Sequence, residues 1–442
     1  MLVQEIMDAG TFRGMLTGHG RMTSNEKDTG MKKERLFLCL AVVASAVCLD
    51  ARAANIEFYR RSKTGGSWND VNNWVTNSGG SVLRGTYPQD PATDRVWLTD
   101  GFTNDTRELY LESDINVLNM MQLNAGSGNQ TNYLNLGGHT LYVANFLNQD
   151  WGSVGTFAIT NGNISATMIR TIGSGYCLWF KGPNTRFDLH GTWYRICIGY
   201  NSARTTLRVS DGAVCNWPCN VFYLGGEQLS GSHDGHRLMI DSGGLVTNCN
   251  TDLLINYGGG TNGLYVSDGG KFHSNAGIQM NSSGGGWHTN PVMKSVTAIL
   301  DVRNGAVDIG NLTGSVGSNS VLRLAGPQSD LRIRSAMVIT NTFDMTFDMT
   351  NGAFAAGTAP IRLTSASHTH ILGDGTIRVI YPRSFARQHG GLIPLIHAAS
   401  GKLTYTGEIR FDLTEACWAK AVTNSNMVAI KIEPPGLMVS FW

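Results

Sequence analysis

The chain has 442 residues, of which 42% are hydrophobic and only 15% are charged, so it is long enough to bury a large core. Its 54 glycines exceed the usual share of about 7% without collagen's three-residue period, which predicts many turns. The 34 basic and 33 acidic residues nearly cancel and form no block of like charge, which argues against nucleic acid or an anionic membrane as the partner.

The beginning of the chain has the pattern of a secretion signal. From Met31 it reads MKKERLFLCLAVVASAVCLDARA, in which a basic region precedes an apolar stretch (residues 37–49) and a small-x-small cleavage site (residues 51–53). The apolar stretch is shorter than the roughly 20 residues that span a bilayer, so we predict no transmembrane segment in the mature chain. We expect a signal peptide over residues 31–53 and an exported mature chain that begins at Ala54, located in the periplasm, at the cell surface or outside the cell.

Residues 1–30 precede this signal without a recognisable pattern. We expect translation to start at Met31, which makes residues 1–30 a non-native leader or a misassigned start; a long n-region is the alternative. Cys48 could also mark a lipoprotein signal, although Val47 stands where that signal needs a small residue.

Six cysteines remain in the mature chain, and export would permit them to form disulfides in any of 15 pairings. Cys215 and Cys219, in the stretch CNWPC, could close a small loop, and buried free thiols are the alternative. Metal binding through these two residues would need further ligands that the sequence does not supply at a recognisable spacing.

The middle of the chain consists of repeated units in which an alternating strand ends in a polar-glycine turn. The clearest copies are FAITNGNI from Phe157, LRVSDGAV from Leu207, LMIDSGGLV from Leu238, LYVSDGGKF from Leu264, LDVRNGAV from Leu300 and DMTNGAF from Asp348. Counting looser copies, the turn glycines recur about every 26 residues, a period typical of solenoids. They are Gly137, Gly162, Gly182, Gly212, Gly243, Gly269, Gly305, Gly326, Gly352 and Gly375.

Each unit has one apolar and one polar side. Leu207 and Val209 alternate with Arg208, as in a half-exposed strand, and Asp211 with Gly212 then supplies residues that tolerate positive φ in a tight turn. We expect the same of Asn161, Asn304 and Asn351, each of which precedes a turn glycine. One unit cannot bury its apolar edge alone, whereas stacking units about 4.8 Å apart pairs the backbone and builds a continuous core.

We therefore predict an all-β chain that folds as a right-handed parallel β-helix, a β-solenoid, with caps at both ends. Residues 54–110 form the N-terminal cap and first coils, residues 111–385 the solenoid repeats and residues 386–442 the C-terminal cap, where the repeat stops. A β-sandwich or a propeller is the alternative, because Asn-Gly and Asp-Gly turns also suit antiparallel hairpins.

The mature chain opens on GGSWNDVNNW (residues 65–74), followed by YPQDPATDRVWL (residues 87–98) and then by the repeats. This order resembles exported bacterial β-helical repeat proteins related to autotransporter passengers and adhesin-like proteins. The resemblance covers most of the mature chain and implies an architecture rather than a ligand. The chain departs from this pattern because neither a membrane barrel nor a hydrophobic sorting helix is recognisable at its C-terminus.

Trp68 and Trp74 suit the first coil of a solenoid, whose exposed end needs an atypical unit to cover it. The alternative is an aromatic platform that stacks on sugar rings. Five other aromatics at possible loop or face positions leave glycan binding open, although such residues equally belong in cores. They are Trp151, Trp193, Tyr194, Trp217 and Trp287.

Candidate catalytic and metal-binding groups are weak throughout the chain. His233, Asp234 and His236 could surround a metal, but their setting suggests a surface loop, and we expect His368 and His370 to be two solvated histidines on the same side of a strand. A polysaccharide lyase would need acidic residues for Ca²⁺ and a base, which adjacent coils could bring together. The candidates are Asp188, Arg195, Asp211, Asp241, Asp301 and Arg303.

No carboxylate pair of a glycoside hydrolase and no nucleophile elbow, zinc-protease or nucleotide-binding motif stands out. We therefore predict no catalytic residue, no cofactor and no metal ligand. The expected function is an exported structural or adhesin-like protein of the bacterial cell exterior, whose partners are extracellular glycans or cell-surface components. The alternatives are a polysaccharide lyase or glycoside hydrolase acting on a linear glycan, and a non-catalytic glycan-binding protein.

Overall fold

A computed structural model describes residues 56–60, 65–76, 85–98, 107–123, 131–147, 155–171, 175–190, 195–199, 204–225, 234–256, 260–280, 297–314, 319–355 and 358–434. The predicted leader and signal peptide, residues 1–53, lie outside the described residues. No helix within the described ranges has the length and apolar character needed to cross a membrane.

The described chain is built almost entirely of β-strands. One 3₁₀ turn (Val71–Asn73) and one α-helix, α1 (Arg383–Gln388), interrupt them. In chain order the strands are β1 (Ile56–Arg60), β2 (Gly66–Ser67), β3 (Trp74–Val75), β4 (Asp94–Leu98), β5 (Glu108–Tyr110), β6 (Ile115–Val117), β7 (Asn119–Leu123), β8 (Thr131–Asn135), β9 (Thr140–Leu147), β10 (Gly155–Thr171), β11 (Tyr176–Leu189), β12 (Arg195–Ile198), β13 (Thr206–Ser210), β14 (Val214–Asn216), β15 (Val221–Leu224), β16 (Arg237–Ile240), β17 (Leu245–Cys249), β18 (Leu253–Ile255), β19 (Thr261–Ser267), β20 (Lys271–Ser274), β21 (Ile278–Met280), β22 (Thr297–Arg303), β23 (Ala306–Ile309), β24 (Leu312–Gly314), β25 (Asn319–Ala325), β26 (Asp330–Ile333), β27 (Met337–Ile339), β28 (Phe343–Asp348), β29 (Ile361–Leu363), β30 (His370–Leu372), β31 (Gly375–Ile380), β32 (Gly391–Ala398), β33 (Leu403–Tyr405), β34 (Ile409–Asp412), β35 (Ala419–Thr423) and β36 (Met427–Ile432).

The strands stack into three parallel sheets that the chain visits in turn, once per coil. From β12 onward, the first sheet runs β13-β16-β19-β22-β25-β28-β31-β34. The second runs β14-β17-β20-β23-β26-β29-β32. The third runs β12-β15-β18-β21-β24-β27-β30-β33. The fold is therefore a parallel β-helix, as the repeat predicted, and the antiparallel alternatives are wrong for this stack.

The core consists of columns of apolar side chains that point inward at the same register position of successive coils. One column in the first sheet places Leu207, Leu238, Leu264 and Leu300 opposite one another, and all four are buried. Burying each such side chain stabilises the fold by about 1.5–3 kcal/mol. Because alternation turns every second residue outward, the same strands display a second set of columns to solvent.

The polar-glycine turns stack on one another between the first and second sheets. Asn161, Asp211 and Asn304 have positive φ, as predicted, whereas beside Asn351 the positive φ belongs to Gly352. Backbone hydrogen bonds link successive turns, for example from Gly212 N to Ser242 O (3.2 Å). Each turn is thus held by its neighbour as well as by its own residues.

Trp68 and Trp74 lie inside the first coil, with ring centroids 4.9 Å apart. The indole of Trp74 donates to the carbonyl oxygen of Trp68 (2.7 Å), and the indole of Trp68 donates to the carbonyl oxygen of Pro88 (3.0 Å). Both rings are buried, so neither provides a surface on which a sugar could stack. Their polar atoms are satisfied by backbone, which suits residues that close the end of a core.

At the other end, the pairing changes from parallel to antiparallel. The parallel ladder continues through β33 and β34, while β36 pairs antiparallel with both β32 and β35. This meander covers one edge of the second sheet, and residues 435–442 of the predicted C-terminal cap lie outside the described residues.

None of the six cysteines among the described residues forms a disulfide, so the small loop between Cys215 and Cys219 is not closed by one. Cys215, Cys219 and Cys249 are buried together in the core, where the thiols of Cys219 and Cys249 hydrogen-bond one another. That contact and burial raise the pKa of Cys249, and burial raises that of Cys215. These three residues behave as small apolar core side chains.

Candidate functional site

The residues proposed for a lyase site are distributed over the three sheets. Asp188 lies in the second sheet on β11, Arg195 begins β12 in the third, and Asp211 occupies a turn. Asp301 and Arg303 share the first sheet with Asp241, which directly follows β16. The six candidates therefore do not converge on one groove.

The three acidic and basic candidates on the first sheet belong to ion pairs that run along its outer face. Arg208 donates from Nε and Nη2 to both oxygens of Asp241 (2.8 and 2.9 Å). Arg303 holds Asp301 in the same bidentate way, with both distances 2.8 Å. The two carboxylates are buried, and the hydrogen bonds to them raise the pKa of each arginine. The charges of each pair stabilise each other, and both carboxylates accept two charge-assisted hydrogen bonds.

Aromatic side chains lie among these ion pairs on the same outer face. The ring of Trp179 packs between Lys181 and Arg208, whose charged groups lie 4.5 and 4.6 Å from its centroid, and its indole donates to Ser210 Oγ (2.7 Å). On β19, Tyr265 has the guanidinium of Arg237 5.7 Å from its ring centroid. Cations above aromatic faces are attracted by the ring quadrupole, so each stack holds its basic group in place.

A cavity on this face lies at the N-terminal ends of β13, β16 and β19. It has a volume of about 430 Å³, within the range of roughly 300–1,000 Å³ that is usual for small-molecule sites. We call it the Arg204–Arg237 pocket. Its lining comprises Arg204, Thr206, Asp234, Gly235, His236, Arg237, Thr261 and Tyr265.

Tyr265 forms one wall of this pocket and is half-buried. Its ring leans over Gly263, because a Cβ added there would lie 2.9 Å from Tyr265 Cε2. Burial is the main reason why the pKa of Tyr265 is raised; the negative charge of Asp301 adds to the shift, and nearby arginines oppose it. The phenol therefore remains a neutral donor and acceptor at ordinary pH.

His236 and Asp234 take structural positions rather than the metal-ligand roles considered from the sequence. The imidazole of His236 is buried over Gly199, where a Cβ would meet the ring at 2.2 Å, and its Nδ1 accepts from Thr205 N (3.2 Å). Asp234 Oδ1 accepts from Thr261 N (2.8 Å). His233 lies outside the described residues. Over the ranges that the structure describes, no group of three or more His, Cys, Asp or Glu side chains could hold a metal.

The prediction of two solvated histidines in SHTHIL is correct for His368 and wrong for His370. His368 is exposed and contacts Ser365 Oγ (2.7 Å). His370 begins β30, whose inward positions are His370 and Leu372, so its ring is fully buried and its Nδ1 accepts from Met337 N (3.3 Å). Strand register, not sequence spacing, decides which histidine faces water.

Burial of His370 predicts a loss of stability in mild acid. Desolvation, with a smaller effect of His368, lowers the pKa of His370 below its ordinary value of about 6.5. As pH falls below that value, the His370 imidazole binds a proton in the unfolded chain but stays neutral in the folded chain. The free energy of unfolding therefore decreases. Urea unfolding at about pH 7.5 and about pH 5.5 should show a smaller decrease for His370→Asn than for wild type.

His397→Asn is the matched control for this experiment, because His397 is an exposed strand residue. It should keep the wild-type pH dependence. If His370→Asn kept that dependence as well, the buried imidazole would not contribute to it.

Among the described residues, the other aromatics considered for glycan binding form no exposed platform. Trp217 is fully buried between Phe187 and Phe222, which it meets edge-on with ring centroids 6.2 and 5.7 Å apart. Trp151, Trp193, Tyr194 and Trp287 lie outside the described residues. Trp179 and Tyr265, which lie on the outer face of the first sheet, were not among the aromatics singled out from the sequence.

Sequence reasoning also missed Arg204 and Arg237. Alternation within RLMIDSGG places Arg237 outward, so its exposure was readable from the sequence. Its position beside Arg204 and Tyr265 was not readable, because insertions of variable length separate the three coils.

Comparisons of the chain with protein-family models, with curated proteins and with solved structures found no match.

Proposed function

We propose that this protein is an exported, adhesin-like β-helix of the bacterial cell exterior, which presents a long rigid surface and does not catalyse a reaction. The signal-peptide pattern and the resemblance of the opening and repeats to autotransporter-related proteins support the location and the class. The parallel β-helix provides the rigidity, because the described coils are hydrogen-bonded to their neighbours along three sheets.

The observation that carries the proposal is the pairing of charges on the outer face of the first sheet. Arg208 with Asp241, Arg303 with Asp301, and Arg378 with Asp412 each form a close ion pair. A general base needs a carboxylate or amine that is available to take a proton, and these carboxylates already accept bidentate or charge-assisted bonds. Such a face suits a scaffold that meets other surfaces.

The test uses the mature chain, residues 54–442, secreted by a bacterial host and expected to begin at Ala54. It is incubated with acidic and neutral polysaccharides, with and without Ca²⁺, and soluble oligosaccharides are followed by mass spectrometry. We expect no release of oligosaccharides from any polysaccharide. Beads coated with the protein should nevertheless bind at least one polysaccharide or one type of bacterial cell.

Release of oligosaccharides from one substrate would contradict the proposal. Asp241→Asn and Asp301→Asn would then separate a reaction at this face from a contaminating activity, because only a reaction at the face would respond to them.

A further inference from the structure

The Arg204–Arg237 pocket interrupts the pattern of paired charges on the first sheet. Among the described residues, Arg204 and Arg237 make no ion pair, whereas Arg208, on the same coil as Arg204, is bound by Asp241. The residues that line the pocket include these two arginines and one acidic residue, Asp234. A net positive charge therefore remains in a concave site, where low-dielectric walls strengthen its attraction for an anion.

The backbone positions both arginines at this site. Arg204 N donates to Asp234 O (2.8 Å), and Arg237 N donates to Thr205 O (2.9 Å). The backbone of each arginine is therefore hydrogen-bonded to the adjacent coil. Arg204 has a φ of 58°, a left-handed conformation that non-glycine residues rarely adopt. Gly235 provides space for its side chain, since a Cβ at Gly235 would lie 3.0 Å from Arg204 Cγ. The two guanidinium groups are thus placed by the fold on one pocket.

The other lining groups are those that recognise a sugar ring. Tyr265 brings a half-buried aromatic ring and a phenol hydroxyl to the pocket, and the part of the ring that Gly263 and Arg237 leave uncovered is apolar surface for a pyranose. Thr206 and Thr261 bring hydroxyl groups, and Asp234 brings an acceptor for sugar hydroxyls. Backbone donation from Thr261 N orients the Asp234 carboxylate (2.8 Å).

We propose that the Arg204–Arg237 pocket binds the carboxylate of an acidic sugar residue within a linear glycan. This inference rests on the proposed function and names the class of glycan that the surface takes. Arginine presents a planar fork that matches a carboxylate in a bidentate way, and two such forks on one site select a charged sugar over a neutral one. The sugar ring packs against the exposed part of Tyr265, and the glycan continues along the outer face of the first sheet.

The test measures binding of the mature chain to oligosaccharides of galacturonate, of alginate and of hyaluronan, each beside its methyl-esterified or reduced neutral form. Isothermal titration calorimetry measures the affinity of each oligosaccharide at low and at high salt concentration. We expect at least one carboxylated oligosaccharide to bind, the neutral form to bind at least about tenfold more weakly, and added salt to weaken binding.

Two variants remove one guanidinium each. Arg237→Gln and Arg204→Asn should each weaken binding by about tenfold to a hundredfold, because each loses charge-assisted hydrogen bonds. Asparagine is chosen at Arg204 because it tolerates positive φ. Thermal unfolding of each variant checks that the fold is intact, and Arg237→Lys should restore part of the affinity through its charge.

Arg410→Gln is the matched control. Arg410 occupies the same outward column as Arg237, on β34, but its guanidinium already pairs with Glu408 (3.2 Å). Its replacement should leave binding unchanged.

The outcomes separate this inference from the proposed function. Failure of every carboxylated oligosaccharide to bind, equal binding of the neutral forms, or equal affinity of the arginine variants would overturn the acidic-sugar pocket while leaving a non-catalytic scaffold in place. Sulfated dextran binding more tightly than any carboxylated oligosaccharide would also overturn it. Oligosaccharide release in the same mixtures would instead overturn the proposed function.

Discussion

Replacing Trp74 with alanine is expected to lower the free energy of unfolding by about 3–5 kcal/mol. The substitution removes a fully buried ring that packs on Trp68 and meets Phe58 edge-on, with ring centroids 6.4 Å apart. It also leaves the carbonyl of Trp68 without the indole donor at 2.7 Å. Urea unfolding followed by far-ultraviolet circular dichroism measures the loss.

Trp74→Phe is the informative companion of this variant. It retains an aromatic ring in the core and loses the indole hydrogen bond, so the expected cost is smaller than that of alanine. Equal stability of wild type and Trp74→Ala would show that the first coil contributes nothing to the stack, contrary to the packing.

Replacing Gly270 with alanine is expected to destabilise the protein by about 3 kcal/mol, the upper part of the usual range for overpacking. A Cβ at this position would lie 2.2 Å from Ile240 O and 2.9 Å from Ser267 O, both backbone atoms. The turn would have to move away from the coil before it, which breaks the hydrogen bond from Lys271 N to Gly244 O (2.8 Å).

Gly390→Ala provides the control for Gly270→Ala. A Cβ there meets Pro434 at 3.6 Å, an ordinary contact, and the residue does not need positive φ. Its stability should lie within about 0.5 kcal/mol of wild type in thermal and urea unfolding. If Gly270→Ala were as stable as Gly390→Ala, close backbone approach would not explain the second glycine of the SDGG turn.

The repeat made the fold predictable because the alternation of apolar and polar residues within each unit shows which side of the strand is buried. Leu207 and Val209 are apolar, and both are buried in the structure. The turn that follows was equally readable, since Asp211 takes the positive φ that its neighbour Gly212 suggested. Alternation and turn chemistry are local properties, so a single unit contains the information.

The candidate site was not predictable in the same way. Arg208 and Asp241 belong to different coils, and they meet because β13 and β16 pair in a particular register. An insertion between those strands can change in length without disturbing the ladder, so sequence distance does not report spatial distance. For the same reason, the sequence did not show that Arg204 lies next to Arg237.

Buried polar residues mark a further limit of sequence reasoning. His370 was expected to be solvated with His368, and Trp217 was considered as a surface aromatic, but both are fully buried. A histidine or tryptophan is compatible with either side of a strand, and only the strand's starting point and its neighbours decide between core and solvent.

The sequence by itself determined the all-β parallel stack, the inward positions of Leu207 and Val209 and the polar-glycine turns, because these follow from a period of two residues and from backbone preferences within one unit. It also indicated export, through a leader whose charge and apolar order are local features. The tertiary structure alone decided which outward side chains become neighbours: Arg208 with Asp241 as an ion pair, and Arg204, Arg237 and Tyr265 around one pocket. Lateral neighbours in a β-helix are set by coil register, and register depends on the whole path of the chain between two strands.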